Sequence, residues 1–357
     1  MYTLDDLLKY MVERNGSDLH LTAGSPPRVR VDGELKAVGE DSLSPDDTQR
    51  LVYGILDSEQ VAKFEQDWEL DLSFGIGGLG RFRTNVFYQR GAIGSVMRVI
   101  PYKIKNFDDL GLPKKVCEHL CTLPRGLVLV TGATGSGKST TLAAMIDFIN
   151  NMNNGHIITV EDPIEFVHKN KKCLINQREV GSDTKTFSNA LRHILRQDPD
   201  VVLIGEMRDM ETIEAGLRIA ETGHLTFATL HTNDATQTIN RIVDVFPASQ
   251  QTQIRTQLSF VLEGVFCQTL LEKRGAKGRV LSAEIMLATS AVRSLIRENK
   301  THQLYSIIQT SGKIGMITMN QSLFALFKRG QITFEDALRA SSDPEDLKRI
   351  FSAQSTL

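Results

Sequence analysis

The segment Gly126-Leu-Val-Leu-Val-Thr131 runs directly into Gly132-Ala-Thr-Gly-Ser-Gly137-Lys138-Ser139-Thr140, and this junction constrains the chain more than any other feature. An apolar run of strand length, a glycine-rich loop and the start of a helical pattern fit the phosphate-binding sequence GxxxxGK followed by Ser or Thr. They also supply the strand, loop and helix setting that the motif requires. Glycines let successive backbone N–H groups turn inward on phosphate oxygens, and the helix that follows presents its positive end to them. Lys138 has the reach for the β and γ oxygens, and the Ser139 hydroxyl can hold Mg²⁺. Gly132, Ala133, Thr134, Gly135, Ser136, Gly137, Lys138, Ser139 and Thr140 are therefore expected to bind ATP. A glycine-rich turn without a ligand would explain the loop but not Lys138 together with both flanking elements.

Such a loop needs a parallel sheet behind it. Apolar runs at 127–130, 157–160, 201–204 and 225–230 have the length and continuity of strands buried on both faces. Between them, Leu142, Met145, Ile146 and Ile149 fall at helical spacing, as do Phe187, Leu191, Ile194 and Leu195. This alternation predicts an α/β fold with a mainly parallel sheet and helices on both sides. From residue 249 onward the pattern reads as almost entirely helical, with Pro247 and Ser249 at the first helix start. The first hundred residues differ: β-like runs at 28–31, 81–88 and 95–100 alternate with amphipathic segments at 3–14 and 44–66, which reads as a small α+β domain. Gly75, Gly77, Gly78, Gly80, Gly91 and Gly94 bracket its later strands and are expected in tight turns with positive φ. Periodicity lapses between Pro101 and Pro113. The expected organisation is thus an N-terminal domain at 1–100, a linker at 101–113 and an ATPase domain at 114–357, in keeping with a 357-residue chain that splits its core in two.

Composition narrows the partners. Lys and Arg number 41 against 43 Asp and Glu, so no global field grips a polyanion, and nucleic acid is not an expected partner. No apolar stretch approaches the roughly 18 to 20 residues that span a bilayer, and the acidic, amphipathic start is unlike a signal peptide, so a cytoplasmic location is expected. Cys117, Cys121, Cys173 and Cys267 contain no CxxC pair and read as buried reduced thiols.

Hydrolysis requires carboxylates and a group that responds to the γ-phosphate, and the ends of the later strands are where a parallel sheet places its ligand crevice. The second strand ends at Glu161-Asp162-Pro163-Ile164-Glu165, with Glu161 and Asp162 facing the crevice. The third ends at Gly205-Glu206-Met207-Arg208-Asp209. The usual acidic signature has Asp directly after the apolar run. Here Gly205 stands in that place with Glu206 next, which leaves the division of labour between Glu161 and Glu206 open. The fourth run carries His224 before it and His231 after it, and at least one is expected to sense the γ-phosphate. No Cys or His lies at zinc spacing from either.

The phosphate loop, the acidic box at 159–165, the segment 205–209 and the histidine box together resemble the four signatures of the secretion and pilus ATPase superfamily. The resemblance covers almost the whole chain. Ser17-Asp-Leu-His-Leu21, followed by Pro26-Pro-Arg-Val-Arg-Val-Asp-Gly33, is similar to the PAS-like N-terminal domain of that family. What the resemblance implies is a PAS-like α+β domain followed by a RecA-like ATPase domain with a helical C-terminal part. It also implies homohexameric rings with ATP between the N-terminal domain of one subunit and the RecA-like domain of the next. Glu161 is then the group that activates water, with Ser139, Asp162 and Glu206 around Mg²⁺. Among Arg81, Arg83, Arg90 and Arg98, the resemblance favours Arg83 and Arg98 as arginine fingers acting across subunits.

Assembly ATPases of the superfamily have a longer N-terminus and usually a tetracysteine zinc motif, both lacking here. Ala291-Val-Arg-Ser-Leu-Ile-Arg-Glu298 is similar to the helical signature of the retraction ATPases, with two substitutions. On a helix, Val292, Leu295 and Ile296 share an apolar face, while Arg293 and Arg297 lie four apart on another, a like-charge pair that costs only a few tenths of a kcal/mol. The resemblance makes Arg293, Arg297 and Glu298 output residues of a motor for type IV pilus retraction and twitching motility. Such a motor works on a platform protein of the inner membrane, with which it associates peripherally. An accessory retraction ATPase and a pilus-extension or type II secretion ATPase are the alternatives within the class. A RecA-like nucleic-acid translocase is the alternative outside it, and balanced charge without aromatic–basic interleaving speaks against that one.

Overall fold

The computed structural model describes residues 2–100 and 104–354. Residues 101–103, the start of the expected linker, lie outside the described residues; beyond them helices form at Phe107–Leu110 and Lys114–Cys121. The chain divides into two compact units, Met1–Lys103 with Glu165–Val167, and Ile104–Ile164 with His168–Leu357.

The first unit opens with helix Leu4–Glu13, started by the Thr3 side chain accepting from the Asp6 N–H and turned so that Leu4, Leu7, Leu8 and Met11 are buried. Strands β1 (Asp18–Leu21), β2 (Arg28–Val31) and β3 (Glu34–Ala37) follow, then helices Pro45–Tyr53 and Ser58–Asp67. The single amphipathic stretch at 44–66 is thus two helices, because Ser44 with Asp47 and Asp57 with Gln60 each form a capping box that starts a new one. β4 (Glu69–Ile76), β5 (Gly80–Gln89) and β6 (Ala92–Ile100) complete a six-stranded sheet in the order β3-β2-β1-β6-β5-β4. All neighbours are antiparallel. One face packs Leu19, Val29, Phe82, Val86 and Met97 against Leu8, Met11 and Phe64 of the helices. Of the six glycines expected in tight turns, only Gly78 and Gly91 have positive φ. Gly91 does so beside Arg90 (φ 52°), as a two-residue hairpin between right-twisted strands demands. The others lie in or beside extended backbone, and Gly94 leaves room for the Phe87 ring.

The second unit contains β7 (Gly126–Thr131), β8 (His156–Glu161), β9 (Leu174–Glu179), β10 (Val201–Ile204), β11 (Leu225–Leu230), β12 (Leu262–Glu272) and β13 (Arg279–Leu287). They form a seven-stranded sheet in the order β13-β12-β7-β11-β10-β8-β9. All pairings are parallel except β12 with β13. The four apolar runs of the sequence are the cores of β7, β8, β10 and β11, and each is buried throughout. Helices cover both faces: Leu191, Ile194, Leu217 and Ile239 belong to one core, Leu120, Met145, Ile146 and Ile149 to the other. All four cysteines are buried and free.

The expectation of an almost entirely helical region after residue 249 is corrected. Helix Ala248–Val261 leads into the hairpin β12–β13, and only then do helices resume at Ser290–Arg297. β12 lies between β7 and β13 and is covered on both faces, so residues 264–268 are buried in succession and show no strand alternation. Gly275 and Gly278, both at positive φ, mark the turn. Among the described residues no helix is long and apolar enough to cross a membrane.

Candidate functional site

β7 ends in the phosphate loop, and the loop is shaped by its glycines. Gly132, Gly135 and Gly137 have φ of 137°, 80° and 92°. A Cβ on Gly132 would stand 2.4 Å from the Gln268 carbonyl and 2.6 Å from Ser136 Oγ, so only glycine fits there. Helix Lys138–Met152 starts without a side-chain cap, and its first N–H groups face the loop as donors for an acceptor from elsewhere. Lys138 Nζ donates to the Gly132 carbonyl at 2.8 Å and the Ala133 carbonyl at 3.1 Å, which holds the ammonium over the loop. Ser136 Oγ is buried without a hydrogen-bond partner among the described residues. Uncapped N–H groups, an ammonium and an orphaned hydroxyl around a cradle closed to side chains fit the phosphates of a nucleotide.

A cavity of about 390 Å³ opens beside the loop, lined by Asp108, Ser136, Gly137, Thr140, Leu270 and Arg279 among others. Its size suits a small organic ligand. Arg279 Nη1 donates to the Gly135 carbonyl at 3.3 Å, and Gln268 Nε2 to Thr141 Oγ1 at 2.8 Å, tying the hairpin β12–β13 to the loop and its helix. Sequence reasoning missed these residues because it missed the hairpin; the glycines at 275 and 278 were the available signal.

The strand ends bring the acidic and histidine residues to the same edge. Ile204 pairs with Val160, and the Gly205 N–H donates to the Val160 carbonyl at 2.8 Å. A Cβ at 205 would lie 3.1 Å from both Glu161 Cα and that carbonyl, which explains why glycine replaces the usual Asp and moves the carboxylate to Glu206. Glu206 pairs with Arg208 Nε at 2.7 Å and meets His231 Nε2 at 3.3 Å. Glu161 Oε1 accepts from Thr159 Oγ1 at 2.6 Å and from Gln177 Nε2 at 3.2 Å. Asp162 is exposed beside it. At the usual strand spacing, β11, β10 and β8 stand about 5, 10 and 14 Å from β7, so His231 and Glu206 are nearer the loop than Glu161. Among the described residues no group of three or more acidic, His or Cys side chains could hold a metal alone. Mg²⁺ characteristically takes one or two carboxylates together with phosphates of its substrate, and Ser139 with the strand-end carboxylates matches that donor set.

The structure does not bring His224 to this edge. Leu230 pairs with Thr131 next to the loop, whereas Leu225 pairs with Gly126 at the far end of β7. A six-residue strand separates the two histidines by about 20 Å. His224 sits at the far end, where its carbonyl accepts from the Gly126 N–H and its ring nitrogen Nδ1 lies 3.2 Å from the Ile219 carbonyl. Of the two histidines expected at the nucleotide edge, only His231 lies there.

In the first unit, Arg83 on β5 stands directly opposite Arg98 on β6, and both are exposed. Like charges in that position repel. Asp18, buried on β1 and opposite Arg98 on its other side, offsets this by accepting from Arg98 Nε at 2.8 Å, and is itself held by Ser17 Oγ at 2.7 Å. Arg81 pairs with Ile100 further along the same strands. Arg90 occupies the hairpin tip, roughly 23 Å along β5 from Arg83, so it does not join the pair.

Helix Ser290–Arg297 buries Val292 and Ile296, with Leu295 partly buried beside them. Arg293 is partly buried, unlike Arg297, so the two arginines do not share one open face. Arg293 donates to both carboxylate oxygens of Glu263 at 2.9 and 3.0 Å, to the Ser259 and Phe260 carbonyls at 2.8 and 2.9 Å, and to the Ala288 carbonyl at 2.9 Å. Ser259 and Phe260 lie in the last turn of helix Ala248–Val261, whose carbonyls lack partners within the helix, so a guanidinium is suited to capping it. Arg297 is exposed, with its guanidinium 5.9 Å from the Phe260 ring. Glu298, also exposed, pairs with Lys300 at 2.7 Å and accepts from Ser294 Oγ, and these bonds hold its carboxyl below the usual range.

A family model described as type II/IV secretion system protein matches residues 2–339. The type IV pilus retraction ATPase PilT of Pseudomonas aeruginosa is 50% identical over 96% of this chain and 99% of its own length. The type IV pilus ATPase PilU of the same organism is 42% identical over 96% and 90%. A crystal structure of the pilus retraction motor PilT with bound ADP superposes with a TM-score of 0.91 at 52% identity, covering 98% of this chain and all of that one.

Proposed function

The chain belongs to the type II/IV secretion system protein family, and on that premise we propose that it is an ATP-hydrolysing motor for type IV pilus retraction, and hence for twitching motility. The identity to the retraction ATPase PilT is higher than that to the pilus ATPase PilU, which favours the retraction motor among the readings within the class. The observation that carries the reading is the phosphate cradle with Lys138 over it and the Glu206–His231 pair at the neighbouring strand ends. The strand order, with β11 between the loop strand and β10, supports a RecA-like ATPase domain at 114–357, preceded by a PAS-like domain at 1–100 and a linker at 101–113.

In this reading residues 132–140 hold ATP. Mg²⁺, when bound, neutralises phosphate charge, with Ser139 and the strand-end carboxylates, Asp162 among them, as its protein ligands. The sequence reading gave water activation to Glu161 and the metal shell to Glu206. Strand order favours exchanging these roles, because Glu206 stands one strand nearer the loop and is joined to His231, which then reports the γ-phosphate. Arg83 and Arg98 complete a neighbouring subunit's site in a homohexamer, where planar guanidiniums stabilise charge on the transferred phosphoryl group. The ring works on an inner-membrane platform protein from the cytoplasmic side, through a surface that includes Arg297 and Glu298.

Parallel substitutions test the assignment. Glu206→Gln is expected to bind ATP normally and to lose turnover by about 100-fold or more, since an amide cannot accept a proton from water. Glu161→Gln is expected to lose less. If Glu161→Gln alone traps ATP unhydrolysed, the roles revert.

A further inference from the structure

Glu284 lies on β13 opposite Cys267, and Cys267 in turn pairs with Thr131, the last residue before the phosphate loop. It is therefore level with the nucleotide edge of the sheet, yet its side chain is only 3% exposed. A carboxylate rarely stands so deep unless it is paired. Here its partner is a helix start. Oε1 accepts from the Ala235 N–H at 2.8 Å, the first helical residue after the loop His231-Thr-Asn-Asp234. The next residue on β13, Ile285, exchanges backbone hydrogen bonds with Ile317 at 2.8 and 3.1 Å, and Ile317 leads into helix Met319–Lys328. Helix N-termini carry partial positive charge, so the acid holds the first of these helices at its start.

The two helices belong to different parts of the unit. Helix Ala235–Asp244 packs in the core beneath the sheet and follows the histidine loop. Helix Met319–Lys328 heads the C-terminal cluster built from Leu323, Leu326, Ile332, Ala337 and Leu347. Within the histidine loop the Thr232 and Thr238 hydroxyls lie 2.7 Å apart, which holds the loop to the helix that Glu284 anchors. We propose that Glu284 is a positioning residue that fixes His231 at the ATP site by tying the histidine loop to β13. The inference rests on the assignment of His231 and Glu206 to that site.

Burial, with Asp234 adding to it, pushes the Glu284 carboxyl up to about 7, against the pull of the Ala235 N–H. A neutral isostere is thus tolerable in the core, which makes Glu284→Gln a usable probe. In the full-length protein, Glu284→Gln is expected to keep its melting temperature and its KM for ATP within about twofold, while kcat falls about tenfold, the cost of a small misplacement of a reacting group. Hydrogen exchange should quicken in peptides covering 232–237, with the phosphate loop unchanged. Glu284→Asp, which keeps the charge on a shorter arm, should recover part of kcat. If Glu284→Gln does not fold, Glu284→Asp carries the same two readouts.

An unchanged kcat, or exchange that does not quicken over 232–237, overturns the proposal. So does a loss of kcat that simply tracks a loss of melting temperature. His231→Ala and Glu206→Gln run alongside separate the two levels. If neither affects turnover, the reading of the site has failed; if both do and Glu284→Gln does not, only this inference has.

Discussion

The two sheets of this protein solve opposite problems. The seven-stranded sheet is covered by helices on both faces, so its strands can offer chemistry only where they end, and its candidate site residues Lys138, Glu206 and His231 gather at one edge. The six-stranded sheet has one packed face, and its open face carries Arg83 and Arg98 side by side at mid-strand, with Asp18 buried between the strands to hold one of them. Burial on both faces makes a rigid edge suited to cradling phosphate. Burial on one face leaves a flat surface suited to presenting charge to another molecule.

The largest expected effect tests the edge. Lys138→Ala removes the ammonium held over the cradle and little core volume, so ATP turnover should fall by about 1,000-fold with an unchanged melting curve. Substantial turnover in a steady-state phosphate-release assay would dissolve the contrast, since the parallel sheet would then not hold the reactive edge.

The open face is probed next. Arg98→Ala should lower turnover by about 100-fold while ATP still binds. Mixing Arg98→Ala subunits, which have intact cradles, with Lys138→Ala subunits, which have intact arginines, should recover part of the activity. Mixed rings that stay inactive at every ratio, with co-assembly demonstrated by mass, would mean that the open face does not complete a partner's site.

The smallest effects separate two arginines on one helix. Arg293→Ala removes a helix cap and one half of a partly buried ion pair, and should cost about 2–3 kcal/mol in denaturant unfolding. Arg297→Ala, on the solvent side, should cost no more than about 0.5 kcal/mol and leave ATPase activity intact. The same Arg297 variant should lose twitching motility in cells if this surface transmits work; normal motility would remove it from the output surface.

Much of the catalytic edge was legible in the chain because its signals are local. The phosphate loop needs glycines and a lysine at fixed spacing, and the four buried strands announce themselves as unbroken apolar runs. The hairpin β12–β13 was not legible, since a strand covered on both faces loses the alternation that marks strands, and the cavity lining at Leu270 and Arg279 went with it. His224 and His231 look equivalent along the chain, at either end of one run. Only the direction of a parallel strand against its neighbour sends one to the loop and the other about 20 Å away.

The same division holds elsewhere. Residue order determined that a phosphate-binding loop would follow β7, that acids would stand at the ends of β8 and β10, and that Val292 and Ile296 would be buried. Tertiary packing decided that a side chain at Gly205 would be crowded, because Glu161 Cα lies 3.1 Å from where its Cβ would stand. It decided too that Arg293 caps a helix instead of facing water, and that Glu284 receives a helix start from a distant part of the chain. Each of these depends on which backbone group arrives at a side chain from elsewhere, and a hydrogen-bond partner tens of residues away leaves no period in the sequence to read.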